Sequence, residues 1–175
     1  MIFDHCPETR CGVGSTMART ENVRAWLPWA LVRHRVKRLL DAPCGDRNWM
    51  KRCYLPCAYV GVDHEAEHIE KARKDGADVR LLDIRSDPLP DADAILIRDF
   101  FQHLSAEDAE LALLNMRTTK ARLLFATCHG ASFNTDCETG AFRFVNMRIE
   151  PFNLGDPIDW VEDGKAGRIL GVWKL

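Results

Sequence analysis

Two apolar runs that each close on an aspartate constrain this chain more than anything else in it. Leu39-Leu40 ends in Asp41 and a tight turn, Ala42-Pro43-Cys44-Gly45-Asp46, and Tyr59-Val60-Gly61-Val62 ends in Asp63, 22 positions after Asp41. A strand, a glycine-containing turn, a helix and a second acid-ended strand form a unit that binds a nucleoside across the carboxyl ends of a parallel sheet.

The alternation continues. The sequence predicts strands over 36–42, 58–63, 79–83, 92–98 and 121–127. Helical segments lie between them over 46–53, 65–74 and 105–116, the last with Ser105 as N-cap and Asp108 three positions on. Short apolar strands alternating with helices mean an α/β, doubly wound, mostly parallel sheet with helices on both faces. Ahead of it, 20–35 reads as an amphipathic helix that Thr20 would cap and Pro28 would kink or interrupt. Residues 159–162 and 168–174 flank Asp163-Gly164 and read as a hairpin at the sheet edge.

At 175 residues the chain has the length of a single domain over 1–175, with 1–35 as an N-terminal arm and helix. Its formal net charge of −2 gives no general attraction to nucleic acid or to anionic membrane, so neither is an expected partner. No window is apolar enough for a transmembrane helix, and Met1-Ile2-Phe3-Asp4 lacks the basic start of a secretory signal, so the expected location is the cytoplasm. Seven cysteines, an odd number without a C-x-x-C pair, read as reduced thiols and not as a disulfide framework or a structural zinc site. The basic run Arg33-His34-Arg35-Val36-Lys37-Arg38 reads as solvated charge around a helix C-terminus.

Acids recur where a ligand would lie: Asp41, Asp63, Asp83 and Asp99 follow four successive strands. An aspartate after the second strand can accept from both hydroxyls of a ribose, and Gly45 lets backbone approach the ligand closely. A dinucleotide fold needs G-x-G-x-x-G to seat a pyrophosphate on a helix N-terminus. Here a single glycine stands between Asp41 and Asp46, which would repel a pyrophosphate and tolerate a cation. The expected ligand is nucleoside-like and not anionic.

With these residues in place, the chain resembles the class I S-adenosylmethionine-dependent methyltransferases. Within that class it is similar to a bacterial branch whose first motif reads L-D-A-P-C-G-D-x-N-W-M, here Leu40 to Met50. The resemblance extends through Gly14-Ser15-Thr16 and Thr20, Tyr59 to Asp63, Arg98-Asp99 and His103-Leu104-Ser105. It continues through Asn134-Thr135-Asp136, Thr139-Gly140, Asn146, Pro151 to Leu154 and Gly171-Val172-Trp173, and so covers nearly the whole chain. Pro43 stands where the wider class has a glycine.

The resemblance implies a Rossmann-like sheet of about seven strands with the last antiparallel, and S-adenosyl-L-methionine as cofactor. It implies that Asp41 and Gly45 line the methionine part, Asp63 holds the ribose, and Asp83 and Ile84 flank the adenine, with Ala42, Pro43, Asn48, Trp49 and His64 also in the cofactor site. Arg98, Asp99 and His103 would face the methyl-transfer side as the catalytic set, with Arg98 also touching the cofactor. An imidazole titrates near neutrality, so His103 is the natural general base, with Asp99 orienting it or taking the proton itself. Arg98-Asp99-Phe100-Phe101 occupies the place of the D/N-P-P-Y loop of nucleobase and amide N-methyltransferases, which argues against an exocyclic amine of DNA.

The stretch 129–157 is long, polar and rich in Gly, Asn and Pro, yet holds Phe142, Phe144, Val145 and Met147. It reads as an acceptor-pocket wall with Asn134, Asp136, Arg143 and Asn146 as hydrogen-bonding residues, or else as a loop that satisfies its own backbone. The reading is a methyltransferase acting on an oxygen or nitrogen of a small hydroxylated molecule ahead of a macromolecule. Its rival is a non-catalytic cofactor-binding or partner module of the same fold. A third reading, zinc hydrolysis, rests on His64-Glu65-Ala66-Glu67-His68, which matches H-E-x-x-H. That helix follows a parallel strand and has no third ligand on a second helix, so no metal is expected.

Overall fold

The computed structural model describes residues 6–164 and 167–175. The reading of Met1–Asp4 and the first five residues of the arm lie outside this set. The described residues form one sheet in the order β3-β2-β1-β4-β5-β7-β6. Its strands are β1 (Arg38–Asp41), β2 (Ala58–Asp63), β3 (Val79–Leu81), β4 (Ala94–Ile97), β5 (Leu123–His129), β6 (Asp159–Glu162) and β7 (Arg168–Lys174). The first five run parallel, and β7 is antiparallel to both β5 and β6. Strand order reverses between β1 and β4, which opens a crevice at their carboxyl ends.

Alternation along the strands assigns the two faces. Leu39, Leu96, Phe125 and Val172 pack under helix α1 (Glu21–Arg33) through Val23, Leu27, Ala30 and Leu31. Leu40, Ile95, Ile97 and Leu124 face the other way, against helix α3 (Ala106–Arg117) through Ala109, Ala112, Leu113 and Met116. Helix α2 (Ala66–Lys74) lays Ile69 and Ala72 on Val79 and Tyr59, on the α1 side. Each fully buried Leu, Ile or Phe contributes about 1.5–3 kcal/mol, so this double-faced core is what holds the crevice open in a fixed shape.

The structure departs from the sequence expectation at definite places. Residues 46–53 form no α-helix, only a 3-10 turn at Met50–Arg52. Gly45 (φ 56) and Arg47 (φ 55) both lie in the left-handed region, and the Asp46 carboxylate takes the Asn48 N–H that would otherwise begin a helix. Strand β1 begins at Arg38 because Val36 N–H still bonds to Leu31 O, and the Lys37 and Arg38 N–H groups donate to the Asp93 side chain. Strand β3 stops at Leu81, since Asp83 O accepts from Ser86 and Asp87 in a turn. Strand β5 runs two residues past Thr127 because Cys128 and His129 pair with Ile169 and Arg168 of β7.

Helix α1 passes through Pro28 without ending. The Arg24 carbonyl that Pro28 cannot serve accepts from Cys53 Sγ at 3.8 Å. Thr20 holds the N-cap position but makes no cap bond, its hydroxyl donating to Thr16 O instead. Ser105 does cap α3, accepting from Asp108 N–H at 3.1 Å. No described helix is long and apolar enough to cross a membrane.

Candidate active site

A cleft of about 660 Å³ opens at the carboxyl ends of β1, β2 and β4, between the 10–15 arm and the 139–142 segment. Asp41, the last residue of β1, lies beneath it and accepts from the Tyr59 hydroxyl at 2.8 Å. Burial pushes the Asp41 carboxyl up to about 7, against the opposing pull of Tyr59 and the Arg47 guanidinium. Arg47 is fixed over the Tyr59 ring at 4.6 Å.

Asp63 ends β2. Its two oxygens accept from Gly45 N–H at 2.8 Å and Glu65 N–H at 2.9 Å, and His68 Nδ1 stands 3.5 Å away. Burial would raise this carboxyl, but His68 and the backbone donors outweigh it and hold it below the usual range. His68 is driven up to about 10, first by Asp63 and then by Cys11, whose Sγ lies 3.8 Å from Nε2. A side chain at position 45 would meet Cys11 Sγ at 2.5 Å, and one at position 14 would meet Asp99 Oδ2 at 2.7 Å. Glycine is required at both places for the arm to close on the turn.

At the other end of the cleft four charges interlock. Arg98 donates to Asp163 Oδ1 at 2.8 Å and lies 3.3 Å from Asp99 Oδ2. Arg168 donates to Asp99 Oδ1 at 2.8 Å and lies 3.2 Å from Asp163 Oδ1. The Arg98 guanidinium also sits over the Trp49 ring at 5.6 Å. Burial would raise Asp99, but the two guanidiniums outweigh it and hold the carboxyl low. That makes Asp99 a fixed counter-ion and a poor proton acceptor at neutral pH. His103 donates from Nδ1 to Ala141 O at 2.9 Å, which leaves the lone pair of the neutral ring on Nε2.

The chain matches no protein-family model, and no curated protein matches it. Solved structures do. A S-adenosylmethionine-dependent methyltransferase from Clostridium acetobutylicum superposes with a TM-score of 0.65 at 13% identity, over 87% of this chain and 90% of that one. Magnesium protoporphyrin IX methyltransferase from Synechocystis, solved with bound SAM, gives 0.63 at 11% identity over 91% and 81%. Human N-acetylserotonin methyltransferase in complex with SAM gives 0.67 at 13% over 93% of this chain and 52% of that one. The fold is the Rossmann-like methyltransferase sheet. Identity this low establishes the fold and leaves the chemistry to the residues.

Of the residues the sequence singled out, the cleft wall brings together Asp41, Pro43, Gly45, Asn48, Trp49, Asp63, His64, Asp83, Ile84, Arg98, Asp99 and His103. Ala42 is fully buried below the wall. Asn48 ties the arm down, donating to Glu8 Oε1 and Ser15 O. Asp83 is gripped by Arg85, and Asn115 of α3 holds the Ile84 carbonyl. Asp46 also reaches the wall, but Lys71 pairs with it at 2.8 Å, so it adds little repulsion toward an anion.

Asn134, Asp136, Arg143 and Asn146 are placed elsewhere. The Asn134 side chain donates to Asn146 O and Glu150 O and accepts from Asn146 N–H, and the Asn146 amide donates to Ala131 O. Asp136 accepts from Ala106 N–H at the start of α3, and Arg143 donates to Thr135 O. These side chains serve the segment's own fold. His64 and His68 do not converge: His68 turns Nδ1 to Asp63 and Nε2 to Cys11. Among the described residues no three His, Cys, Asp or Glu side chains gather into a metal-binding group.

The structure adds Cys11, His68, Gln102, Phe142 and Arg168 to the wall. The position of Gln102 beside His103 was the one available signal for it. Arg168 carried none, since only the register of β7 on β5 brings it there.

Proposed function

We propose that this chain is a S-adenosylmethionine-dependent methyltransferase that modifies an oxygen or nitrogen of a small hydroxylated molecule. The observation that carries the reading is the pairing of Asp63 with Gly45 N–H at the switch point of this sheet, directly on the cleft. A carboxylate has about four lone-pair sites. The two backbone donors and His68 therefore leave Asp63 capacity for a ribose hydroxyl.

The donor set fits the group. Arg98 Nε and Gln102 Oε1 are buried without a hydrogen-bond partner among the described residues, and both residues line the cleft. Asp41, Asn48 and Trp49 would hold the methionine part, and Asp83 and Ile84 would flank the adenine. Bound there, the cofactor would supply a methyl group activated by its sulfonium. The protein's own work is to align the acceptor, exclude water and take the acceptor's proton, for which His103 Nε2 is the candidate atom.

The two solved relatives that hold SAM are methyltransferases, which supports the cofactor assignment. The net charge of −2 supports a small acceptor over nucleic acid. Seven free cysteines support a reducing, cytoplasmic setting. Calorimetry with S-adenosylhomocysteine tests the reading. Wild type and His103→Ala should bind alike, Asp63→Ala should bind far more weakly, and His103→Ala should lose turnover with an acceptor. Equal affinity in wild type and Asp63→Ala would refute the site.

A further inference from the structure

Three phenylalanines of the 129–157 segment stand in water: Phe133 is 70% exposed, Phe142 57% and Phe144 60%. Two of them are held rigidly. Between Phe142 and Phe144, Arg143 is buried, with its N–H on Gln102 O at 2.9 Å and its guanidinium on Thr135 O at 2.6 Å. Gly140 N–H donates to His103 O at 2.8 Å on one side, and Val145 enters the core on the other. The rings form an edge-to-face series, with Phe142 5.7 Å from His103 and 5.4 Å from Phe144, and Phe144 5.2 Å from His129. Burying such a ring contributes about 1.5–3 kcal/mol. A fixed apolar shelf that forgoes this, at the mouth of a cleft, is a docking surface.

Phe142 and His103 are where the shelf becomes cleft wall. The charges there set the character of what docks. Asp99 and Asp163 are matched by Arg98 and Arg168, two carboxylates against two guanidiniums, so this cluster carries no net charge to hold a charged acceptor. Burial pushes His129 toward its neutral form. Gln102 is 2% exposed and donates its amide to Asp99 Oδ1 at 2.6 Å. That bond fixes its Oε1 as an acceptor, and this oxygen has no partner among the described residues. Such an orphan costs about 1–3 kcal/mol, which a hydroxyl donor would recover.

Resting on the methyltransferase reading, we propose that the acceptor is an uncharged, flat aromatic ring bearing a hydroxyl. Its ring stacks on Phe142, and its hydroxyl donates to Gln102 Oε1 on binding; for transfer the same single hydrogen turns from Gln102 Oε1 to His103 Nε2. Gln102 is thereby a positioning residue. A phenolic hydroxyl gives up its proton far more readily than an alkyl one, which suits a neutral imidazole as the receiving group.

The test uses the full chain saturated with S-adenosylhomocysteine and four probes: 2-naphthol, its saturated counterpart decahydro-2-naphthol, 2-naphthoic acid and naphthalene, titrated by NMR. 2-Naphthol should bind, and the saturated alcohol and the acid should bind much more weakly. Phe142→Ala and Phe142→Leu should each weaken 2-naphthol about tenfold, with an unfolding midpoint close to wild type because the ring is exposed. Gln102→Leu should weaken 2-naphthol but not naphthalene, which has no hydroxyl to place. The proposal is overturned if decahydro-2-naphthol or 2-naphthoic acid binds as well as 2-naphthol. It is also overturned if neither Phe142 variant changes the affinity, or if those variants alter only the oligomeric state, which would make the shelf a contact between copies. S-Adenosylhomocysteine that fails to bind wild type would instead refute the methyltransferase reading itself.

Discussion

Arg98→Met should destabilise the protein in a way that depends on pH. The guanidinium is 2.8 Å from Asp163 and 3.3 Å from Asp99, and Asp163 is wholly buried. Removing one member of a buried ion pair costs about 3–5 kcal/mol. Arg168 remains in contact with both carboxylates, so the loss should fall near the lower end. At about 2–4 °C per kcal/mol for a chain of this size, the unfolding midpoint should drop by roughly 6–12 °C.

The pH dependence gives the sharper signature. In wild type the two guanidiniums overcome burial and hold the Asp99 carboxyl low. A lowered carboxyl contributes stability above its unfolded value, near 4, and loses it as pH falls through the folded value. Without Arg98 the largest counterweight to burial is gone, and the folded carboxyl rises. The stability that its lowered value contributes is then lost in part, so the variant's deficit must grow as pH rises from the folded wild-type value to the unfolded one near 4. Urea midpoints for both proteins across that range measure it, provided the slopes agree. A deficit under about 1 kcal/mol, or one that is flat with pH, would refute the reasoning.

Two further outcomes follow from the glycine turn and its neighbour. Burial holds the Asp41 carboxyl near 7 despite Tyr59 and Arg47, so wild type loses stability as pH rises from about 4 through that value. Asp41→Asn escapes this loss, and its unfolding midpoint relative to wild type should improve between about pH 5 and pH 8; no relative gain would contradict a raised carboxyl. Gly45→Ala should cost about 1–2 kcal/mol from its left-handed backbone and more from the Cys11 sulfur 2.5 Å from the new methyl. Gly140→Ala, at φ 101 with nothing within 4 Å, is the comparison, and equal thermal losses at both positions would show that Cys11 does not crowd the turn.

The acids at the ends of β1 and β2 were readable because a parallel sheet puts its ligands at strand ends, so position and chemistry coincide there. The 46–53 stretch misled because a polar run between two apolar strands reads as a helix, while Gly45 and Arg47 at positive φ interrupt one. Asn134 and Asn146 resembled ligand-binding side chains for a physical reason. A segment without ladders must satisfy its backbone with side-chain amides, and sequence does not distinguish that duty from recognition. Arg168 reaches the cleft through the pairing of β7 on β5, which no local pattern encodes.

The β6–β7 hairpin does more than finish the sheet. Asp163 and Arg168 bond to Arg98 and Asp99 across 65 and 69 residues of sequence. The crevice between β1 and β4 can therefore take shape from neighbouring strands, while Arg98 and Asp99 have only each other for counter-ions until the hairpin docks. Synthesis delivers that hairpin after the five parallel strands. A nascent chain would thus hold the strand-end crevice before it held the four-charge cluster that closes one end of it.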